Sequence, residues 1–367
     1  MLENKNTNIP DITVNTATNM LLKLCRGAVR NGFSLKALPS VMLWGSPGVG
    51  KSALVKQFAK RLEADTGKHV SVTDIRLLLY SPVDLRGVPT ADETHTFSRW
   101  LMPKIFDLPD GEDAVNIIFL DEISAAPQSV QAAAYQICLD HRIGEHELPD
   151  NTIVIAAGNR TTDRSVAYKM PAALANRMLH LNITSSFNAW KHWAYQSGID
   201  ERIIGYLSFD NSVLCEEPDN NSLAYPTPRS WEFVSTILKT TGLTVNKAHN
   251  YISAAVGTDN ALAFEGWCEV YKTLPTTQEI FAGSCHEKPG SHDALYALIS
   301  SMTAYAAERK ATLTADEIDN AFFYITHFPE DFVMLFFDNL KHIEGVKLTV
   351  MKCPSVKAWL RRRGKDE

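Results

Sequence analysis

The spacing of apolar residues along this chain changes period several times, and each period predicts a different kind of element. In "VMLWGSPGVGKSALVKQFAKRLEA", residues 41–64, four apolar residues lead into a glycine-rich turn, after which Val55, Phe58, Ala59 and Leu62 recur at helical spacing. The pattern predicts a strand, a loop and a helix in that order. "NIIFLDEIS" predicts a further strand over Ile117 to Leu120, whose unbroken apolar run suits burial on both faces. "QSVQAAAYQICLD", residues 128–140, sets Val130, Ala133, Ala134 and Ile137 on one helical face, and "NTIVIAAGN" predicts another buried strand ending at Asn159. Beyond about residue 186 strand signals fade, and the chain reads as helices broken by Asn, Pro and Gly clusters at 210–228, 256–260 and 284–291. Thr314 to Glu317 forms a capping box ahead of Ile318, Ala321, Phe322 and Ile325. The expectation is an α/β protein with a parallel sheet, followed by helices.

Length and charge narrow the function classes. A chain of 367 residues with 45% hydrophobic content can bury the cores of two or three domains. A net charge of −6 leaves no global footprint for nucleic acid or an acidic membrane, and Arg361, Arg362, Arg363 and Lys365 read as a solvated tail. Six cysteines, Cys25, Cys138, Cys215, Cys268, Cys285 and Cys353, form no C-x-x-C pair, so they read as reduced, mostly packed thiols. The first twenty residues show no basic-then-apolar leader, and no apolar run nears the ~18 residues of a membrane span. A cytoplasmic protein without a membrane partner is expected.

The chemistry concentrates in the glycine-rich turn. Gly45, Ser46, Pro47, Gly48, Val49, Gly50, Lys51 and Ser52 fit a phosphate loop, in which glycines let backbone N–H groups approach phosphate oxygens at a positive helix terminus. Lys51 would reach the β- and γ-phosphates and Ser52 would ligate magnesium. An ordinary glycine turn needs neither residue. Asp121 and Glu122 end the strand that follows, where open α/β sheets place ligands. Asp121 would hold magnesium, usually through water, and Glu122 would orient and polarise the attacking water. Two acids at a strand end are common by themselves; downstream of a phosphate loop they gain meaning. Asn159 could bond the γ-phosphate or that water, although Asn is also a favoured turn residue. His141 and His146 lack the further ligands a metal site needs. Trp190, Trp193 and Tyr195 read as packing rather than a base-stacking platform.

These motifs, with "PAALANRM" and "PTPRSWE", occur in the order found in AAA+ ATPases, and the sequence resembles the MoxR group. Residues 81–100, "SPVDLRGVPTADETHTFSRW", resemble that clade's helix-2 insert, and residues 140–151, "DHRIGEHELPDN", resemble its hairpin before the asparagine strand. The resemblance spans roughly residues 10–270. It implies a P-loop AAA+ core over 1–186 and an all-α lid over 187–275; residues 276–367 exceed a normal lid and read as an additional helical C-terminal region. It implies that Arg177 is an arginine finger acting on the neighbouring subunit's γ-phosphate and that Arg229 is a lid arginine sensing nucleotide. Fixed guanidinium donors suit the charge that spreads over a phosphoryl group in transfer. Arg229 would follow Thr227 and Pro228 at a helix start, where the dipole disfavours a cation and so favours a bound anion beside it. Residues 158–165, "GNRTTDRS", are closer to the corresponding stretch of McrB-type GTPases, and there Asp163 and Arg164 are alternative trans-acting groups.

The expected function is a ring-forming ATPase, hexameric by resemblance, that uses ATP and magnesium to remodel a protein client or a partner carrying a von Willebrand factor A domain. Two alternatives stand beside it: a nucleotide-gated scaffold with slow turnover, and a McrB-like GTP-dependent DNA motor. The charge and the lack of a long basic stripe disfavour nucleic acid. No guanine-selective Asn-Lys-x-Asp sequence occurs, which favours ATP over GTP.

Overall fold

A computed structural model of the chain describes residues 9–160, 170, 175–216, 222–271, 274–343 and 345–363. It divides into two compact units, Met1–Ser186 and Phe187–Glu367.

The strands of the first unit are β1 (Asp11–Thr13), β2 (Val41–Trp44), β3 (His69–Arg76), β4 (Val88–Ala91), β5 (Ser98–Leu101), β6 (Ala114–Asp121), β7 (Arg142–Ile143), β8 (His146–Glu147), β9 (Thr152–Gly158) and β10 (Leu179–Thr184). Its principal helices are α1 (Val14–Arg30), α2 (Lys51–Thr66), α3 (Pro82–Arg86) and α4 (Gln128–Asp140). Six strands make one sheet in the order β1-β10-β2-β9-β6-β3, every neighbouring pair parallel. The apolar runs read from the sequence are explained by burial on both faces. Val115, Ile117 and Phe119 of β6 pack with Leu54, Val55, Phe58 and Leu62 of α2 and with Leu21, Leu22 and Cys25 of α1. The alternate residues Ile118 and Leu120 pack with Val130, Ala133, Ala134 and Ile137 of α4. Strands β4–β5 and β7–β8 form two small antiparallel hairpins outside this sheet, the second of them within the 140–151 stretch.

The second unit contains no strand among its described residues. Helices Phe187–Gln196, Glu201–Phe209, Pro228–Thr241, His249–Val256 and Thr258–Tyr271 surround Trp231, Tyr206, Phe264 and Trp267, with Tyr206 and Phe264 ring centroids 5.4 Å apart. A second apolar cluster is built by helices His292–Glu308, Ala315–Ile325, Glu330–Lys341 and Pro354–Arg363 around Phe322, Phe336, Phe337 and Trp359. Helix His292–Glu308 serves both, since Ala297 belongs to the first cluster and Leu298, Ile299 and Met302 to the second. The capping box at Thr314 forms, with the Glu317 carboxylate accepting from the Thr314 N–H at 2.9 Å. The basic C-terminal triplet is not a tail. Arg361, Arg362 and Arg363 are the last turn of helix Pro354–Arg363, where the helix dipole favours cations, and the Arg363 guanidinium lies 5.4 Å from the Trp359 ring centroid.

Gly205 sets how closely helix Glu201–Phe209 can approach its neighbours: a Cβ there would lie 2.5 Å from the Trp267 ring and 3.1 Å from the Ser300 Cβ. Trp267 is itself buried, so it cannot yield without disturbing the aromatic cluster. Gly205→Ala should therefore destabilise the protein by about 1–3 kcal/mol, as overpacking of a full core does. Urea unfolding would check this, and wild-type stability would contradict it.

Candidate functional site

The loop between β2 and α2 owes its path to two glycines. Gly45 has φ +157, and a Cβ on it would sit 2.6 Å from the Ile183 carbonyl oxygen of β10, so only glycine lets the chain leave β2 there. Gly50 has φ +101 and is the N-cap of α2, in the left-handed region that glycine adopts without strain. It brings no side-chain cap, and the first turn of α2 holds no acidic residue. The helix thus presents its first N–H groups and positive dipole end to whatever lies in the loop.

The four residues at the centre of the expected chemistry are brought together. Lys51 Nζ donates to the Gly45 carbonyl, to the Ser46 carbonyl at 3.1 Å and to Asn159 Oδ1 at 2.9 Å. Ser52 Oγ donates to Asp121 Oδ2 at 2.9 Å. Sheet register causes this meeting, because Trp44 pairs with Gly158 and Leu120 with Ala156, so that β2, β9 and β6 end side by side. The Ser52 and Asp121 oxygens are hard donors, spaced as two adjacent oxygen ligands of a magnesium ion, whose cis oxygens lie about 3 Å apart when its bonds are about 2.1 Å. The donor set therefore fits magnesium.

Glu122 is exposed and has φ +61, a left-handed conformation that costs a non-glycine residue roughly 1 kcal/mol. Its N–H donates to Asp121 Oδ1 at 2.9 Å, and the next N–H, of Ile123, returns to the Ala157 carbonyl. This kink directs the carboxylate away from the sheet at the end of β6. Strain at such a position marks a functional constraint.

Ser124 is a supporting residue that the sequence reading passed over. Buried, its Oγ accepts from the Asn159 N–H at 2.9 Å, and a Cβ on Gly158 would come within 2.8 Å of that oxygen. The signal was a serine three residues beyond Asp121 facing a glycine one residue before Asn159.

Arg177 is exposed on a turn, Ala175–Met178, closed by the Met178 N–H on the Ala175 carbonyl at 3.5 Å. That turn precedes β10, whose first residue, Leu179, pairs with Val41, the first residue of β2. Its backbone joins the sheet at the edge opposite the phosphate loop. Arg229 is exposed in the second unit, one residue past Pro228 in the first turn of its helix, behind a Thr227–Ser230 capping box. Asp163 and Arg164 lie outside the described residues.

The two hairpins of the first unit are joined to each other. The Trp100 N–H donates to Glu145 Oε1 at 2.9 Å, and the Trp100 carbonyl lies 2.7 Å from His146 Nε2. Trp100 faces Pro89 across β4–β5, a pairing in which proline has no N–H to give, so its own backbone groups point outward to β7–β8. His146 is thereby a strut. His141 ends α4 in the left-handed region, with its pKa lowered by burial first and by Lys36 second. Among the described residues no group of three or more His, Cys, Asp or Glu is placed to hold a metal ion.

Residues 40–180 match the family described as the ATPase family associated with various cellular activities (AAA). That segment carries the loop, Asp121, Glu122, Asn159 and Arg177, and together with the geometry above it defines a P-loop ATP hydrolase. No curated protein matches the chain at a significant level. Among solved structures, a mutant RuvB of Thermotoga maritima is 18% identical, with TM-score 0.35, covering 80% of this chain and 86% of its own. A putative ATPase from Cytophaga hutchinsonii is 16% identical, with TM-score 0.29 and coverage of 90% and 81%. The ORC1 protein of Aeropyrum pernix in complex with DNA is 14% identical, with TM-score 0.39 and coverage of 92% and 86%. Likenesses this weak bear no functional weight. No described helix is long and apolar enough to cross a membrane.

Lys51→Ala should weaken nucleotide binding by about 100-fold or more, because a bound triphosphate loses its charged partner in the loop. Titration with a fluorescent ATP analogue measures this, and affinity near wild type would remove the loop from the site.

Proposed function

We propose that the protein is a ring-forming AAA+ ATPase, hexameric and MoxR-like, that couples ATP hydrolysis to remodelling of a protein partner. The observation that carries this reading is the meeting of Lys51, Ser52, Asp121 and Asn159 at one sheet edge while Arg177 stands at the other. In the proposed cycle Lys51 and the loop N–H groups hold the phosphates, and Ser52 and Asp121 hold magnesium. The ion supplies charge neutralisation on the phosphate oxygens. Glu122, at its kinked position, accepts a hydrogen bond from the attacking water and polarises it. Asn159 donates through its Nδ2 to the γ-phosphate or to that water, since its Oδ1 faces Lys51.

A phosphoryl-transfer site of this kind needs a guanidinium on the developing charge. The register of β10 puts the Arg177 backbone at the strand ends opposite its own loop, which supports assigning it to the neighbouring subunit's site, with Arg229 as the nucleotide-sensing arginine of the second unit. Arg229 occupies a first-turn position where its charge opposes the helix dipole, which supports an anionic ligand there. Resemblance alone supports a client or a von Willebrand factor A domain partner. Six cysteines with no C-x-x-C pair, four of them buried, support a reducing, cytoplasmic setting.

Arg177→Ala should bind ATP nearly as wild type yet lose on the order of 10³ in turnover, as loss of such an arginine does. Glu122→Gln should bind ATP and turn over at least ~100-fold more slowly. Mixed under conditions of subunit exchange, the two should recover activity at interfaces that join an intact Glu122 to an intact Arg177. Phosphate release by the mixture, set against each variant alone, decides the matter. Labelled exchange without recovery would exclude a shared site, and full activity of Arg177→Ala would move the role to Arg164 or remove the ring. In a nucleotide competition ATP should win; a tenfold preference for GTP, about 1.4 kcal/mol, would select the McrB-like alternative instead.

A further inference from the structure

We infer that His180 and Trp44 form a positioning link that sets the Arg177 turn from the end of β2 that opens the subunit's own phosphate loop. The inference rests on the reading of Arg177 as a trans-acting arginine. Trp44 is the last residue of β2 and immediately precedes Gly45. Its indole Nε1 lies 2.9 Å from His180 Nδ1, and the two rings stack with centroids 6.1 Å apart and planes 16° from parallel. An indole N–H can only donate, so Nδ1 must accept, and the ring's proton resides on Nε2. Nε2 in turn lies 2.6 Å from the Ala175 carbonyl, which can only accept. The tautomer is therefore fixed by its two neighbours, and the chain of donors runs one way, from Trp44 through His180 to Ala175.

Ala175 opens the turn whose third residue is Arg177. Holding its carbonyl holds the turn. At the other end, Trp44 is bonded to Gly45, the first residue of the phosphate loop. A Cβ on Gly45 would lie 2.6 Å from the Ile183 carbonyl oxygen, so the backbones of β2 and β10 approach closely there. The ends of β2 and β10 are thus coupled by backbone contact and by the Trp44–His180 bond. The link joins the sheet edge that binds phosphate to the opposite edge, which presents the arginine. Neither residue touches substrate in this scheme; both act through Arg177.

The test uses the full-length protein and complementation. His180→Ala should lower kcat roughly 10- to 100-fold, as displacement of a catalytic group by about 1 Å does, with ATP affinity changed by less than about threefold. If the defect lies in the arginine that the subunit presents, mixing His180→Ala with Glu122→Gln should restore phosphate release, because the second subunit supplies a correctly set Arg177. Mixing it with Arg177→Ala should restore nothing, because every interface then lacks a working arginine. A variant that merely damages its own pocket gives the reverse pattern, and that result would overturn the proposal. Trp44→Phe keeps the ring and loses the donor, and it should fall in the same complementation group; it decides the question if His180→Ala does not fold. His180→Gln, whose amide can accept and donate, should recover part of the lost kcat. Wild-type turnover by both His180→Ala and Trp44→Phe would also overturn the link. The control pair, Arg177→Ala with Glu122→Gln, separates the two levels. Recovery in the control with the wrong pattern for His180 defeats the link alone, whereas no recovery in the control defeats the shared site and the link with it.

Discussion

The nucleotide site exists because three parallel strands are held in one register. Trp44 stands beside Gly158 and Leu120 beside Ala156, and only this alignment brings Lys51 to Asn159 and Ser52 to Asp121. The register is fixed by burial rather than by the site. Alternate residues of β6 and β9 feed the apolar clusters on opposite faces, so a slip of one residue would exchange the faces and spoil both. A polar site with few bonds of its own is thereby positioned by a large apolar sheet that takes no part in chemistry.

The same parallel topology has a consequence for the arginines. A loop that leaves the carboxyl end of β2 and a turn that feeds the amino end of β10 stand on opposite edges of adjacent strands. A single copy of the unit therefore offers a phosphate cradle on one edge and an arginine on the other. In the proposed assembly, head-to-tail repetition of such a unit would pair the two at every interface, because a heterologous contact that closes on itself makes a ring. The second unit contributes differently: its helix His292–Glu308 serves two apolar clusters at once, so residues beyond 276 share packing with those before it.

Much of this was legible in the sequence because it depends on local pattern. The glycines, Lys51 and Ser52 announce a loop by spacing, and the runs ending at Asp121 and Asn159 announce doubly buried strands. The capping box at Thr314 needs only four residues. Features that depend on partners distant in sequence were not legible. Ser124 supports Asn159 across 35 residues, and Trp44 meets His180 across 136, in neither case with a motif to mark it. The left-handed kink at Glu122 is hidden because nothing about the residue type asks for it. The basic triplet at 361–363 reads as a tail by charge alone; what makes it a helix is the apolar company of Val356 and Trp359 on the buried face.

Asn159 shows how a strand end and the side chain it carries are held by different partners. Its backbone N–H donates to Ser124 Oγ, while its side-chain oxygen accepts from Lys51. Lys51 has three protons to give, and here they meet two loop carbonyls and that amide. Phosphate oxygens would attract the ammonium more strongly than neutral carbonyls do, since hydrogen bonds between charged partners are roughly twice as strong. In the proposed cycle the Asn159 side chain keeps its oxygen toward Lys51 and its Nδ2 available to donate, over a backbone bonded to the buried Ser124.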